Sequence, residues 1–286
     1  MNSTPPPVLQ SVKRALDVLV AFEAAEPVQT PAQVASRLGL NRTTAWRYLV
    51  TLAASGLVRE LPGGRFALGG RTVALAESYT HQWGRFGSAG GVALVRLRDA
   101  TGETAALHIR EGWTRVPIRQ VESQHELHRT YRDLGEPVSL LVGSPSLAIL
   151  ANLSEQEQAS YLDSHADLAP EGRDEVLRRL AGVRAQGYAT TEGARAPNVS
   201  SVAAPVRDRH GRVLGAINVT GPEQRFTADS VPRFIAEVTG TAGWIEEQLR
   251  DTDGAGAATP RRRTASSGSV SPGGRPRRAA PAPRPR

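Results

Sequence analysis

The sequence predicts an α+β protein with two folded parts. Three observations carry that reading. Residues 10–80 are dense in helix-period apolar patterns and close on a short hairpin, whereas residues 81–250 mix strand-period and helix-period runs. The length of 286 residues, at roughly 150 per domain, also suggests two domains.

In the first part, Val12, Leu16, Leu19, Val20 and Phe22 or Glu23 recur at helical spacing, with no Gly or Pro until Pro27. A second helix is announced by Thr30-Pro31-Ala32-Gln33. Thr30 suits the N-cap, Pro31 the first helical position, and Gln33 the return bond of a capping box. Val34, Ala35 and Leu38 make its inner stripe, and Gly39 ends it. Asn41 caps a third helix from Arg42 to about residue 55, with Ala45, Leu49 and Leu52 inward and Gly56 as the stop. Leu57 to Leu61, Pro62-Gly63-Gly64 and Arg65 to Leu68 then read as a hairpin.

Three helices, a tight turn between the last two and a hairpin make the plan of a winged helix-turn-helix over residues 10–70. The third helix leaves Arg42, Thr43, Trp46 and Arg47 pointing away from the core, with Thr44 near its start. Arg can bond guanine or phosphate bidentately, and Thr can touch base or backbone. Residues 1–70 carry seven basic side chains against four acidic ones. The bland alternative is a small helical adaptor with a solvated face; the order of capped elements argues against it.

Strands are expected at 103–110 and 113–121, helices near 146–153, 155–163 and 171–186, and a hairpin at 199–206 and 212–220 about Asp208-Arg209-His210-Gly211. A last helix from about 230 to 249 has Val231, Phe234, Ile235, Val238, Ala242, Ile245 and Leu249 in register. On the strand at 213–220, strict alternation puts Val213, Gly215, Ile217 and Val219 on one face. Leu214, Ala216, Asn218 and Thr220 fall on the other.

Composition excludes several classes. There is no cysteine, hence no disulfide, thiol nucleophile or Cys-type zinc site. The longest uncharged run, 137–154, is interrupted by Ser, Gly and Asn, and a membrane span needs about 20 mostly apolar residues. The first residues lack a basic-then-apolar export pattern, so a cytoplasmic protein is expected. Gly143-Ser144-Pro145-Ser146-Leu147 is no nucleophile elbow, and His125-Glu126-Leu127-His128 has the wrong spacing for a zinc pair. No catalytic residue, metal or cofactor is expected. Gly87 with Gly90-Gly91 is a weak signal.

The net charge of +7 is unevenly placed: residues 251–286 hold eight Arg against two Asp, leaving +1 for the rest. With six Pro and little apolar bulk, 251–286 is expected to be a disordered basic tail, and 1–9 a flexible leader. Mobile arginines near bound DNA would steepen its salt dependence.

Val12-Lys13-Arg14-Ala15-Leu16-Asp17-Val18-Leu19, Leu38-Gly39-Leu40-Asn41-Arg42-Thr43-Thr44, Arg47 to Leu52, Gly56-Leu57-Val58 and Phe66 to Gly69 resemble the DNA-binding domain of IclR-type bacterial transcriptional regulators. Gly187-Tyr188-Ala189, Ser201 to Val206 and Asn218 to Pro222 resemble the same family's GAF-like effector domain. The resemblance implies that Arg42, Thr43, Thr44, Trp46 and Arg47 face the groove of a double-stranded operator. It implies a linker helix over 71–88 packed in a dimer, and an effector domain over 89–250 in a homo-dimer or tetramer. Thr191, Glu192, Ser201, Asn218 and Thr220 would line a small-molecule pocket. Asn218 and Thr220 read equally as the solvent face of a half-exposed sheet.

One departure stands out. Where the family carries Gly-x-x-x-Pro-Leu-His and then Gly-Lys-Ala, this chain has Gly135 to Leu141, with Leu140 and Leu141, and Ser146-Leu147-Ala148. An imidazole and an ammonium are replaced by Leu141 and Leu147. The expectation is a mostly apolar or aromatic effector, with Leu140, Leu141, Ser146 and Leu147 among its contacts. The alternative is a domain that only oligomerises; an adaptor or an enzyme is more distant.

Overall fold

The structure is a computed structural model describing residues 8–23, 26–131, 134–165 and 172–250. The expected tail, and all of the leader but its last two residues, lie outside these.

The N-terminal part contains α1 (Gln10–Val20), α2 (Pro31–Leu38) and α3 (Arg42–Ala54), with strands β1 (Val28–Gln29), β2 (Val58–Leu61) and β3 (Arg65–Leu68). The strands form an antiparallel sheet in the order β1-β3-β2, so β1, too short for a periodic signal, adds an edge to the expected hairpin. Val18, Phe22, Val34, Ala35, Ala45, Leu49, Leu52, Val58 and Phe66 make one core. The face expected from α1 is only partly used: Val12, Leu16 and Val20 are exposed, while Val18 and Phe22 pack inward.

Helix α4 (Arg71–His81) is followed by α5 (Gly84–Thr101), so the helix expected over 71–88 is broken after residue 81. Gly84 adopts φ +45°, a conformation disfavoured for residues with a Cβ. The glycines within α5 have a packing reason. A Cβ on Gly90 would overlap the Leu107 side chain, and one on Gly91 would overlap the Arg119 guanidinium.

The remaining elements are β4 (Thr104–Glu111), β5 (Thr114–Val121), β6 (Val138–Ser139), α6 (Ser144–Ala151), α7 (Glu155–Ser164), α8 (Arg173–Gln186), β7 (Ala189–Glu192), β8 (Val199–Arg207), β9 (Val213–Pro222) and α9 (Ser230–Arg250). The strands form one antiparallel sheet in the order β6-β5-β4-β9-β8-β7. One face packs on α5 and α9 through Leu107, Ile109, Ile217 and Val219 against Leu94, Leu97, Phe234, Val238 and Ile245. The other lies under α6 and α8, where Ala203 and Ala216 meet Leu147, Leu150, Val176 and Leu180.

Strict alternation fails at one end of β9. The register passes from Val206 opposite Gly215 to Arg207 opposite Val213, leaving Leu214 as the extra residue of a bulge. Val213 therefore joins the apolar cluster on the α6 side and Leu214 packs on the α5 side, the reverse of the sequence assignment. Beyond the bulge, Asn218 and Thr220 share the α6 face as expected. Both are buried, which removes the solvent-face alternative.

Candidate DNA-reading surface and sensor site

Two backbone devices fix the outward face of α3. Thr30 Oγ1 accepts from Gln33 N at 3.3 Å while Gln33 Oε1 accepts from Thr30 N at 2.8 Å, closing the capping box of α2. Gly39 takes the left-handed conformation at φ +63°, and Asn41 Oδ1 accepts from Thr44 N at 2.7 Å to start α3. With Ala45, Leu49 and Leu52 buried, Arg42, Thr43, Trp46 and Arg47 are exposed and Thr44 is half-buried. A cleft of about 410 Å³ runs between α3 and the hairpin, lined by Pro31, Arg42, Thr43, Trp46, Gly63 and Gly64, among others. Both glycines have positive φ, as the tight turn requires. The sequence places this turn in the hairpin but points to DNA contacts on α3 alone.

On the α6 face of the large sheet, hydrogen bonds join residues from seven elements and the Tyr131 loop. Arg115 carries only donors, so its Nη1 donates to His108 Nδ1 at 2.9 Å. That fixes the proton on His108 Nε2, which donates to Asn218 Oδ1 at 2.9 Å. Asn218 Nδ2 donates to Tyr131 OH at 2.9 Å and to Ser201 Oγ at 2.8 Å. Ser144 Oγ donates to Ser201 Oγ, and Ser201 Oγ to the carbonyl of Val219. At the other end, Arg115 Nε donates to Ser146 Oγ at 2.7 Å, which donates to the carbonyl of Ser139. Thr191 Oγ1 accepts from Ser144 N at 3.2 Å.

Arg115, His108 and Asn218 are fully buried. Burial first, and then the Arg115 charge, holds His108 well below the ordinary imidazole value, so the ring is neutral. Arg195 adds to that positive field, and its side chain, like Arg115 Nη2, lies beside Gly143, the N-cap of α6.

Four sequence candidates, Ser146, Thr191, Ser201 and Asn218, thus meet in one network. Thr220 sits beside it, opposite Ser201 in register, and donates to the carbonyl of Ser200. Leu140 and Leu147 are buried in the adjoining apolar cluster, with Leu141 packed at its edge. Glu192 is exposed, and its partner Ser200 belongs to the opposite sheet face from Ser201, so it stands apart from this group. Sequence reasoning missed Arg115, His108, Tyr131 and Ser144. The available signal was a His within the apolar run Ala105 to Ile109 and an Arg beside Val116-Pro117-Ile118. In the His125 to His128 stretch, His128 Nε2 lies 3.5 Å from a Glu122 carboxylate oxygen, and no group of three potential metal ligands occurs among the described residues.

A capped helix presenting cations beside a glycine turn, followed by a sheet domain with a buried polar face, fits a DNA-binding regulator with a C-terminal effector domain. Comparison makes this specific. Residues 88–247 match the IclR C-terminal domain of bacterial transcriptional regulators, and residues 11–62 match the IclR helix-turn-helix domain. The chain belongs to the IclR family. It is 29% identical over 240 residues to the HTH-type transcriptional regulator BhcR of Paracoccus denitrificans, covering 77% of this chain and 80% of that one. Its fold superposes on Thermotoga maritima IclR with a TM-score of 0.71 at 22% identity, over 84% of this chain and 98% of that one. An IclR homologue from Microbacterium hydrocarbonoxydans, complexed with 4-hydroxybenzoate, gives a TM-score of 0.63 at 20% identity, over 84% and 99% of the two chains. The relatives are transcriptional regulators rather than enzymes. Among the described residues no helix is long and apolar enough to cross a membrane.

Proposed function

We propose that this regulator reads its operator with Arg42, Thr43, Thr44, Trp46 and Arg47 and senses a small molecule on the sheet face beneath α6. The observation that carries the first half is the exposure of four of these side chains on a helix capped at Asn41 and buried along its opposite face. Arg47 is exposed, so Arg47→Ala spares the fold and weakens operator binding by about 1–3 kcal/mol. The test is a titration, at fixed salt, on the duplex that the purified protein selects from genomic DNA. Equal affinity of variant and parent would refute it.

For the sensor, the buried Arg115 and His108 change the ligand expected from sequence. The imidazole and ammonium absent at Leu141 and Leu147 have counterparts on β4 and β5. The reading is therefore a molecule with an apolar or aromatic body against Leu140, Leu141 and Leu147 and an anionic head toward Arg115. An aromatic carboxylate such as 4-hydroxybenzoate is the first probe. Saturating it at a hundred times its Kd would stabilise the native state by about 2.7 kcal/mol, read as a rise in melting temperature. Neutral analogues alone giving that rise would refute the anionic head. The ligand-free alternative is favoured by one observation: Asn218 and Ser201 already find their partners within the protein. Silence from the whole panel selects it.

Association of copies is supported by the bare apolar side chains Val8, Leu9, Val12, Leu16 and Val20 at the start of the chain and Val73 and Leu75 on α4. Sedimentation distinguishes dimer from tetramer, and a monomer at all concentrations would refute association. A regulator acting on the chromosome works in the cytoplasm.

A further inference from the structure

The exposed face of α3 is not uniformly polar. Trp46 is 49% exposed and Val50, one turn on, is 38% exposed, while Ala45, Leu49 and Leu52 fill the core. Trp46 contributes nothing to the N-terminal apolar cluster, so the fold does not account for it. With Thr43 one turn before it, it makes an apolar stripe flanked by the cations Arg42 and Arg47. On the wing side the cleft beside the indole is bounded by Gly63 and Gly64, where even an added Cβ would meet nothing within 4 Å, so that side of the indole is open. The cations suit guanine or phosphate. An apolar stripe has a single complement on base edges in the major groove, the C5-methyl group of thymine.

We propose that Trp46 is a specificity-determining residue of this regulator, selecting operators by contact with a thymine methyl. The inference rests on α3 being the helix that enters the groove. It assigns Trp46 a part different from that of the arginines. A phosphate-binding cation strengthens binding to every sequence, whereas a methyl-reading indole separates one sequence from another.

The test begins with a random duplex pool from which the full chain selects its own motif. Each thymine of that motif is then replaced by deoxyuridine, which removes only the methyl group. At one or two positions the parent should lose about fourfold in affinity, the worth of one buried methyl-sized group. Trp46→Ala should bind the thymine and deoxyuridine duplexes equally, and Trp46→Phe should keep part of the difference. Circular dichroism checks that both variants fold, as expected for a half-exposed side chain. Indifference of the parent to every deoxyuridine, or an undiminished loss in Trp46→Ala, would overturn the proposal while leaving α3 as the reading helix. Failure of the parent to enrich any motif would remove that reading and this inference with it.

Discussion

Replacing Asn218 by Ala tests whether the buried network is a structural unit. The side chain is fully buried and makes three hydrogen bonds, accepting from His108 and donating to Tyr131 and Ser201. At a net worth of about 1 kcal/mol each, their loss would cost about 3 kcal/mol. The penalty falls unevenly. Ser201 keeps its bond to the Val219 carbonyl and its donor Ser144, whereas the His108 Nε2–H loses the acceptor described above. The assay is equilibrium urea unfolding followed by near-ultraviolet circular dichroism, which reports Trp113 and Trp244 in the C-terminal domain. A lower midpoint at unchanged slope signals lost stability rather than a changed unfolded state. A double-mutant cycle with Ser201→Ala should give a coupling of about 1 kcal/mol, because the two side chains bond directly. A total loss below about 1 kcal/mol, or strict additivity of the two variants, would refute the claim that these groups act together.

Other outcomes follow from the same structure. Because His108 is held below its ordinary value of 6.5, the unfolded chain takes up a proton that the folded chain refuses. Stability should be level above about pH 6.5 and fall below it by up to about 1.4 kcal/mol per pH unit, and His108→Gln should remove that slope, as urea midpoints across pH would show. Gly90→Ala should destabilise by about 1–3 kcal/mol through the clash with Leu107, whereas Gly182→Ala on the exposed side of α8, where nothing lies within 4 Å, should stabilise by about 0.5–1 kcal/mol. Melting of the two variants beside the parent separates those signs. Thr30→Ala should cost about 1 kcal/mol by opening the capping box, which denaturation of the N-terminal part would register.

The elements legible in the sequence are those whose ends are chemically marked. Thr30, Pro31 and Gln33 announce α2, Gly39 and Asn41 bracket the turn, and all of them act as their chemistry predicts. Helix α5 is not legible in the sequence because Gly84, Gly87, Gly90 and Gly91 are poor helix formers. Two of them are instead where Leu107 and Arg119 press against the helix, a fact of tertiary packing. The bulge at Leu214 was hidden for a similar reason, since a period of two is a property of a strand and a bulge is a property of a pair. The α3 surface could be listed from helical spacing alone. The buried network could not, because polar residues alternating on a strand look the same whether they face water or lie beneath a helix. Only the covering of the sheet by α6 decides that for Asn218.

All eight residues of α6 are buried, from Ser144 to Ala151. A helix with no face left for water is a plug rather than a lid. Any molecule reaching Arg115 or Asn218 has to wait for part of the core to open. Its measured affinity is then the intrinsic one reduced by the fraction of time the core stands ajar. An effector bound as proposed would therefore exchange slowly, and a substitution that loosens α6 should speed its binding without touching the ligand.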